Sequence, residues 1–312
     1  MHALHTIECL SAENLLSNIR RSNDNWWEPG CPTSSWVFRG IGDADCWKLI
    51  PSAWREEQNG LKTLIDQIAG MAFPVKIDMQ TTADEPPPEL RRYCEWVCAE
   101  KEALYQFACV ANELGFEVDP GSYQRNRSPI TLKAIGQVFD EQSSPEVAVI
   151  AQHHGIPTRL LDWSSNPLVA AFFAVTPLFR SSSSKKVCVW ALDTSHLTFQ
   201  GPDEKTFGQF QVLIRRPPRS TNQFLHSQGG VLTEITNQSA LTKHFLAHQS
   251  WPTLEQVIAL AKTEKPILVR IPDENGQRSG GKTATIPMGK RPAFRLECGR
   301  HSGENGQYKL RV

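Results

Sequence analysis

Three short segments of the sequence concentrate the residues whose types and spacing could do chemistry. The first is Trp36-Val-Phe-Arg-Gly40, continued by Trp47-Lys-Leu-Ile-Pro-Ser52 and Arg55. An arginine at a strand end beside a glycine can reach into a cleft while backbone approaches closely. Its planar fork suits phosphate or carboxylate, so Arg39 is an anion-binding candidate, with an internal carboxylate as the competing partner. The second segment, Ala151-Gln-His-His-Gly-Ile-Pro-Thr-Arg-Leu-Leu-Asp-Trp-Ser-Ser-Asn-Pro167, is dense in polar groups. Such density beside a very apolar stretch is costly unless the groups satisfy one another. Asp162 with Arg39, or Asp162 with Arg159, are natural pairs, and Trp163 offers a stacking plane for a heterocycle. His153 and His154 are adjacent and cannot share one helix face, so at most one reaches a site. The competing reading is a buried structural network. The third segment, Asn222-Gln-Phe-Leu-His-Ser-Gln-Gly-Gly-Val231, places Gln228 before two glycines. A glutamine is no strong base but can hydrogen-bond hydroxyls or an amide. Gln228, Gly230, Leu232 and Glu234 share strand parity, so Gln228 and Glu234 can face one groove; a solvent-facing Glu234 is the alternative.

Other patterns carry less. His244 and His248 are four apart, with no HExxH pattern and no evident third ligand. Arg215-Arg216-Pro-Pro-Arg219 is a basic loop that can meet a nucleic-acid backbone. Gly280-Gly-Lys-Thr283 lacks the upstream glycine of a phosphate-binding loop, and no GxSxG motif occurs.

The elements that must position these residues are legible in outline. Ser11 caps a helix to Arg20 in which Leu15, Leu16 and Ile19 share a face, and Trp36 to Gly40 reads as a strand. Leu90, Tyr93, Val97, Leu104, Phe107, Ala111 and Leu114 recur at helical spacing, so a helix runs from about Glu89 to Leu114, stopped by Gly115. Residues 78–120 hold 10 Asp/Glu against 3 Lys/Arg, which suggests a helical insert or lid with an acidic outer face. Pro129 and Pro145 each follow a serine and each begin a helix, to about Phe139 and His154. Thr158 to Trp163 reads as a strand. Asn166-Pro167 caps the apolar Leu168–Val175 helix, which is expected at the centre of the core. Strands follow at Val187–Leu192, Gln209–Ile214, Gly230–Ile235 and Ile267–Ile271, with a helix at Pro252–Lys262. Helices first and then mostly strands argue for an α+β fold. From Arg270 to Val312 there are 9 Lys/Arg and 4 Asp/Glu and little apolar periodicity, so residues 273–312 read as a basic, poorly ordered tail.

Composition narrows the function classes. The chain has 312 residues, with Lys+Arg and Asp+Glu both 33, which excludes a globally basic nucleic-acid coat but not a local basic groove. No apolar run approaches the ~20 residues of a membrane span, and no secretory signal is visible. The 8 Cys form no CxxC pair and read as reduced, mostly buried thiols of a cytoplasmic protein.

Trp36-x-Phe-Arg-Gly40, the Trp47-x-Leu-x-Pro-Ser52 and Arg55 extension, Gln152 to Trp163 with Asn166-Pro167, and Gln228-Gly229-Gly230 together resemble the FRG domain family over roughly residues 30–272. The family's Asp-Leu-rich ending has no counterpart after Pro272. The resemblance implies an ADP-ribosyltransferase-like α+β fold over residues 1–272. That fold has a mixed or antiparallel sheet core, a helical N-terminal part and a helical insert at about 78–140. It implies a bacterial toxin or anti-phage effector that uses NAD as substrate, modifies nucleic acid or protein, and has an antitoxin as a possible partner. On this reading Arg39, Thr158, Arg159 and Trp163 hold NAD. Arg39, His153, Asp162, Gln228 and Glu234 serve catalysis, and Arg215, Arg216 and Arg219 meet nucleic acid. Two rivals stand beside it: a non-catalytic nucleotide- or nucleic-acid-binding module, and a metal-independent nuclease using His153 or His154 as general acid/base.

Overall fold

The structure, a computed structural model, describes residues 3–20, 23–26, 34–43, 48–56, 60–69, 75–76, 82–83, 87–116, 118, 130–131, 145–179, 186–197, 209–215, 230–261, 263, 265–273. Its centre is a seven-stranded sheet in the order β1-β10-β7-β2-β6-β9-β8. The strands are β1 (Leu4–Thr6), β2 (Trp36–Ile41), β6 (Leu160–Ser164), β7 (Val187–Asp193), β8 (Gln211–Arg215), β9 (Gly230–Thr236) and β10 (Leu268–Asp273). Only β1 and β10 run parallel; every other neighbour pair is antiparallel. Short strands β3 (Val75–Lys76), β4 (Thr82–Ala83) and β5 (Ile130–Thr131) form a second sheet in the order β4-β3-β5. Seven α-helices lie among the described residues: α1 (Ala12–Ile19), α2 (Lys62–Ala69), α3 (Pro88–Glu113), α4 (Pro145–His153), α5 (Pro167–Val175), α6 (Gln238–His248) and α7 (Leu254–Ala259). The α+β architecture read from the sequence is what the chain adopts.

The large sheet parts in its middle. β2 pairs with β7 from Trp36 to Ile41, and β6 pairs with β9 along its whole length, but β2 and β6 meet only at Phe38 and Ser164. Strand pairing alternates side chains between faces, so Phe38, Ser164, Asp162, Leu160, Leu232 and Glu234 share one face, and Arg39, Leu161 and Trp163 have the opposite parity. On the first face Phe38, Val189, Ala191, Val269 and Ile271 pack with Leu15 and Ile19 of α1 and Ala170 and Ala174 of α5. Leu160 and Leu232 pack instead with Val147 and Ala151 of α4 and Leu104 and Ala108 of α3. The opposite face carries Val37, Trp190, Leu192, Leu161, Trp163 and Ile235, joined in one core to Tyr93, Trp96, Leu241, Phe245 and Trp251.

Local chemistry sets the boundaries. Ser11 caps α1 by accepting from Asn14 N–H, and Asn166 caps α5 by accepting from Leu168 N–H. Gly115 and Gly155 take positive φ of 85° and 87° just past α3 and α4, a left-handed conformation that favours glycine at helix ends.

Three expectations change. The apolar helix α5 is not central: only Pro167, Ala170 and Ala174 are buried, while Leu168, Phe172 and Phe173 are 55%, 45% and 39% exposed. The reason is close approach. A Cβ at Gly40 would lie 1.8 Å from the Ala170 carbonyl oxygen, so the helix presses its small residues onto β2 and turns its large ones outward. Second, α3 is no outer lid. Leu90, Tyr93, Trp96, Val97 and Leu104 are buried, and so are two of its carboxylates, Glu95 and Glu100. Third, the helix expected from Pro129 is replaced at Ile130–Thr131 by a strand paired to β3, where the β-branched pair suits extended backbone; its remainder, to Phe139, lies outside the described residues, as does the tail after Asp273. Strand β1 and helix α2 carry too little periodic signal to be read beforehand.

The Gly40 contact yields a direct prediction. Gly40→Ala is expected to destabilise the chain by about 3 kcal/mol, the upper end of ordinary overpacking, because the obstacle is backbone rather than a side chain that can turn aside. Denaturant unfolding of the two proteins measures it; a change within about 0.5 kcal/mol contradicts the packing of α5 on β2.

Candidate functional site at the parting of the sheet

The parting between β2 and β6 is where the polar residues gather. Beyond Phe38–Ser164 the two strands no longer pair, so the Asp162 carbonyl on β6 has no backbone donor from β2. Arg39 supplies one: its Nη1 donates to the Asp162 carbonyl at 2.7 Å and to Asp162 Oδ1 at 2.5 Å. The Arg39 side chain is 16% exposed and that of Asp162 65% exposed. A charged residue so open on an interior strand is unusual, and its position explains it. Asp162 lies between Leu160, packed with α4, and Ser164, beside Phe38 in the layer packed with α5.

Behind this pair stands a chain of hydrogen bonds. Gln152, on the last turn of α4, offers Nε2 to Asp162 Oδ1 at 3.5 Å, and its Oε1 accepts from the Thr158 hydroxyl. Thr158 is fully buried. Its carbonyl accepts from Ala53 N–H at 3.1 Å and Ser52 Oγ at 3.3 Å, and its N–H donates to Ser52 Oγ at 3.2 Å. Arg55 follows the same turn, with Nε donating to the Ile50 carbonyl at 3.2 Å. The first and second sequence segments therefore meet through Arg39, Ser52, Arg55, Gln152, Thr158 and Asp162.

The charges are coupled. Burial lowers the Arg55 guanidinium from its ordinary value, and the Arg39 charge lowers it further against the pull of Asp162. Desolvation alone would raise the Asp162 carboxyl, but the Arg39 charge and hydrogen bond, helped by Arg55, outweigh it and hold the carboxyl below the usual range. Both guanidinium groups act on this one carboxylate, and the planar fork of an arginine also suits an anion. The sign for stability follows from the lowered value. Asp162 contributes above its unfolded pKa of about 3.9, and the contribution disappears as pH falls through the lower folded value. Because the carboxylate is exposed, Asp162→Asn is expected to cost about 1 kcal/mol or less at neutral pH, with the difference from wild type closing below pH 4. Thermal melts at pH 7 and pH 3 check this.

The other residues singled out from the sequence divide. Arg159 is turned into the core, onto Glu100. Its N–H and Nε donate to Glu100 Oε1 at 3.1 and 2.9 Å and Nη2 donates to Oε2 at 2.9 Å, both side chains being buried. Its guanidinium also lies 5.9 Å from the Trp54 ring centroid. Desolvation would lower the Arg159 pKa, but Glu100 reverses that and holds the group charged. Trp163 is 3% exposed with its indole N–H bonded to Thr233 Oγ1 at 2.9 Å, so it is a core residue rather than a stacking plane. Glu234 is buried against Arg215, whose Nε donates to Oε2 at 2.9 Å; neither is a solvent-facing strand charge. His153 is exposed at the end of α4. His154 lies against Phe107 and Phe116, and its pKa is lowered by desolvation and by His153. Gln228, Arg216 and Arg219 lie outside the described residues, as does Trp47. Ser52, Glu100 and Gln152 had no role assigned from sequence. Gln152 and Ser52 were visible as members of the motifs, whereas nothing in an acidic helix marks Glu100 as Arg159's partner.

Burial pushes the Cys94 and Cys188 thiols up to about 12, which keeps them protonated. Among the described residues no group of three His, Cys, Asp or Glu is placed to hold a metal ion, and no helix is long and apolar enough to cross a membrane.

Fold and site together define an α+β protein whose mostly antiparallel sheet opens at one strand junction around an Arg–Asp pair backed by a helix-end glutamine. The FRG domain model matches residues 125–183, the stretch that carries α4, β6 and α5, so this part of the chain is similar to the FRG domain. Gln152, Thr158 and Asp162 fall inside that match; Arg39 reaches it from outside. A search of curated proteins and one of solved structures each returned no match.

Proposed function

We propose that the chain is an NAD-consuming ADP-ribosyltransferase-like enzyme whose site is the parting between β2 and β6. The observation that carries the reading is the open Asp162 carboxylate held by Arg39 with Arg55 nearby. NAD presents a diphosphate and, at the nicotinamide ribose, a carbon that becomes cationic as its glycosidic bond breaks. Both Arg39 bonds to Asp162 run from Nη1, and a guanidinium carries donors on three nitrogens, so one side chain can hold the carboxylate and an anionic oxygen together. In the reaction the bond between ribose C1′ and the nicotinamide nitrogen breaks, and its electron pair leaves with neutral nicotinamide. Asp162 stabilises the oxocarbenium character at C1′. A nucleophile of the acceptor then bonds to C1′ and loses its proton to water. Glu234, tied to Arg215, is left with a structural part, so the carboxylate role falls to Asp162. The acceptor is a nucleic acid or a protein, the setting that of a toxin or anti-phage effector.

A binding module without turnover is the second reading, favoured by the fact that Arg39, Asp162, Gln152 and Thr158 already satisfy one another. NAD labelled separately in its nicotinamide and adenine halves, incubated with the protein and with RNA, DNA or bacterial lysate, separates the two. Free nicotinamide and adenine label on an acceptor are expected. Saturable binding with both halves still joined supports the module, and neither binding nor cleavage by folded protein rejects both.

A further inference from the structure

We infer that Gln152 is the positioning residue of this site: its side-chain amide, oriented by Thr158, sets the direction and ionisation of the Asp162 carboxylate. The inference rests on the reading of Arg39 and Asp162 as the working pair, but its test does not require turnover.

The geometry fixes which way the amide points. Leu160 N–H donates to Thr158 Oγ1 at 3.3 Å, which occupies a lone pair of the hydroxyl and leaves its single proton to be given elsewhere. The acceptor is Gln152 Oε1. With the amide oxygen engaged, Nε2 is the end that faces Asp162, at 3.5 Å from Oδ1. The reverse orientation would set an amide oxygen against a carboxylate. Thr158 itself cannot drift, because both its carbonyl and its N–H are tied to the Ser52–Ala53 turn. The order therefore runs from that turn, through a fully buried hydroxyl, to the one carboxylate that is 65% exposed. Asp162 Oδ1 receives Arg39 from the β2 side and Gln152 from the α4 side. Arg39 and Arg55 both draw the carboxyl down; Gln152 adds a donor without adding charge, which holds the carboxylate in place.

Two variants test this in the full chain. Gln152→Glu keeps shape and the acceptor for Thr158, but replaces the donor by a second negative charge. Gln152→Ala removes both contacts. The Asp162 carboxyl carbon is followed by NMR through a pH titration in protein carrying labelled aspartate, with Asp162→Asn assigning the signal, and thermal melts are run alongside. The Asp162 pKa is expected to rise by about half a unit in Gln152→Ala and by about one unit or more in Gln152→Glu, with the melting temperature at neutral pH falling in step. If NAD proves not to be the substrate and these shifts still appear, the positioning role stands while the proposed activity falls. Titration within about 0.2 units of wild type in both variants, whatever their melting points, overturns it and leaves Gln152 a packing residue.

Discussion

Glu100→Ala is expected to destabilise the chain by about 3–5 kcal/mol, the largest effect of any single side-chain truncation outside the apolar core. The change strips a buried guanidinium of its carboxylate and orphans three donors at once, the Arg159 N–H, Nε and Nη2. Neither water nor the Trp54 face, 5.9 Å away, replaces an ion pair in which both side chains are at most 5% exposed. The cost is that of a buried guanidinium stripped of its hydrogen-bonded carboxylate, with only the more distant Glu234 charge still acting on it, not the net worth of the pair, and the two can be told apart. Glu100→Gln retains an acceptor and should lose less, and Glu100→Leu with Arg159→Met should recover much of the loss. Guanidinium unfolding followed by tryptophan fluorescence reads all three. A loss below about 1 kcal/mol for Glu100→Ala contradicts the buried pairing.

Arg39→Ala has the opposite profile. The pair with Asp162 opens to solvent, so its removal should cost about 1 kcal/mol or less. Nicotinamide release, in contrast, should fall by about 10²–10³-fold, the usual effect of deleting a group that meets developing or fixed charge in a catalytic site. Arg39→Lys should recover little, since one ammonium cannot hold a carboxylate and a phosphate with separate nitrogens. A variant that melts like wild type and has lost activity identifies a working residue. One that unfolds identifies Arg39 as a structural bridge between the two halves of the sheet.

How far these residues could be read in advance depends on the range of the forces that place them. Helices α1, α3 and α4 and strands β2, β6, β7 and β9 announce themselves through apolar periodicity and caps such as Ser11 and Asn166, because both signals are local. The Arg39–Asp162 pairing could be proposed from composition alone, since a dense polar segment must satisfy itself. Which arginine takes Asp162 could not. Arg159 is three residues away in sequence, yet it is claimed by Glu100, fifty-nine residues distant on a helix whose acidity suggested a solvated face. The outward turn of Leu168, Phe172 and Phe173 is equally non-local, because it follows from a glycine on another strand. Trp163 shows the same limit: strand alternation sets it opposite Asp162 in parity, but only the register with β9 delivers its N–H to Thr233.

The site at the parting of β2 and β6 is tested most directly by a crystal structure of the full chain with ADP-ribose or an uncleavable NAD analogue. Diphosphate oxygens within about 3 Å of the Arg39 guanidinium, and the nicotinamide ribose beside the Asp162 carboxylate, are the expected result. Ligand bound elsewhere, or an Arg39–Asp162 contact left bare in crystals soaked to saturation, would contradict it.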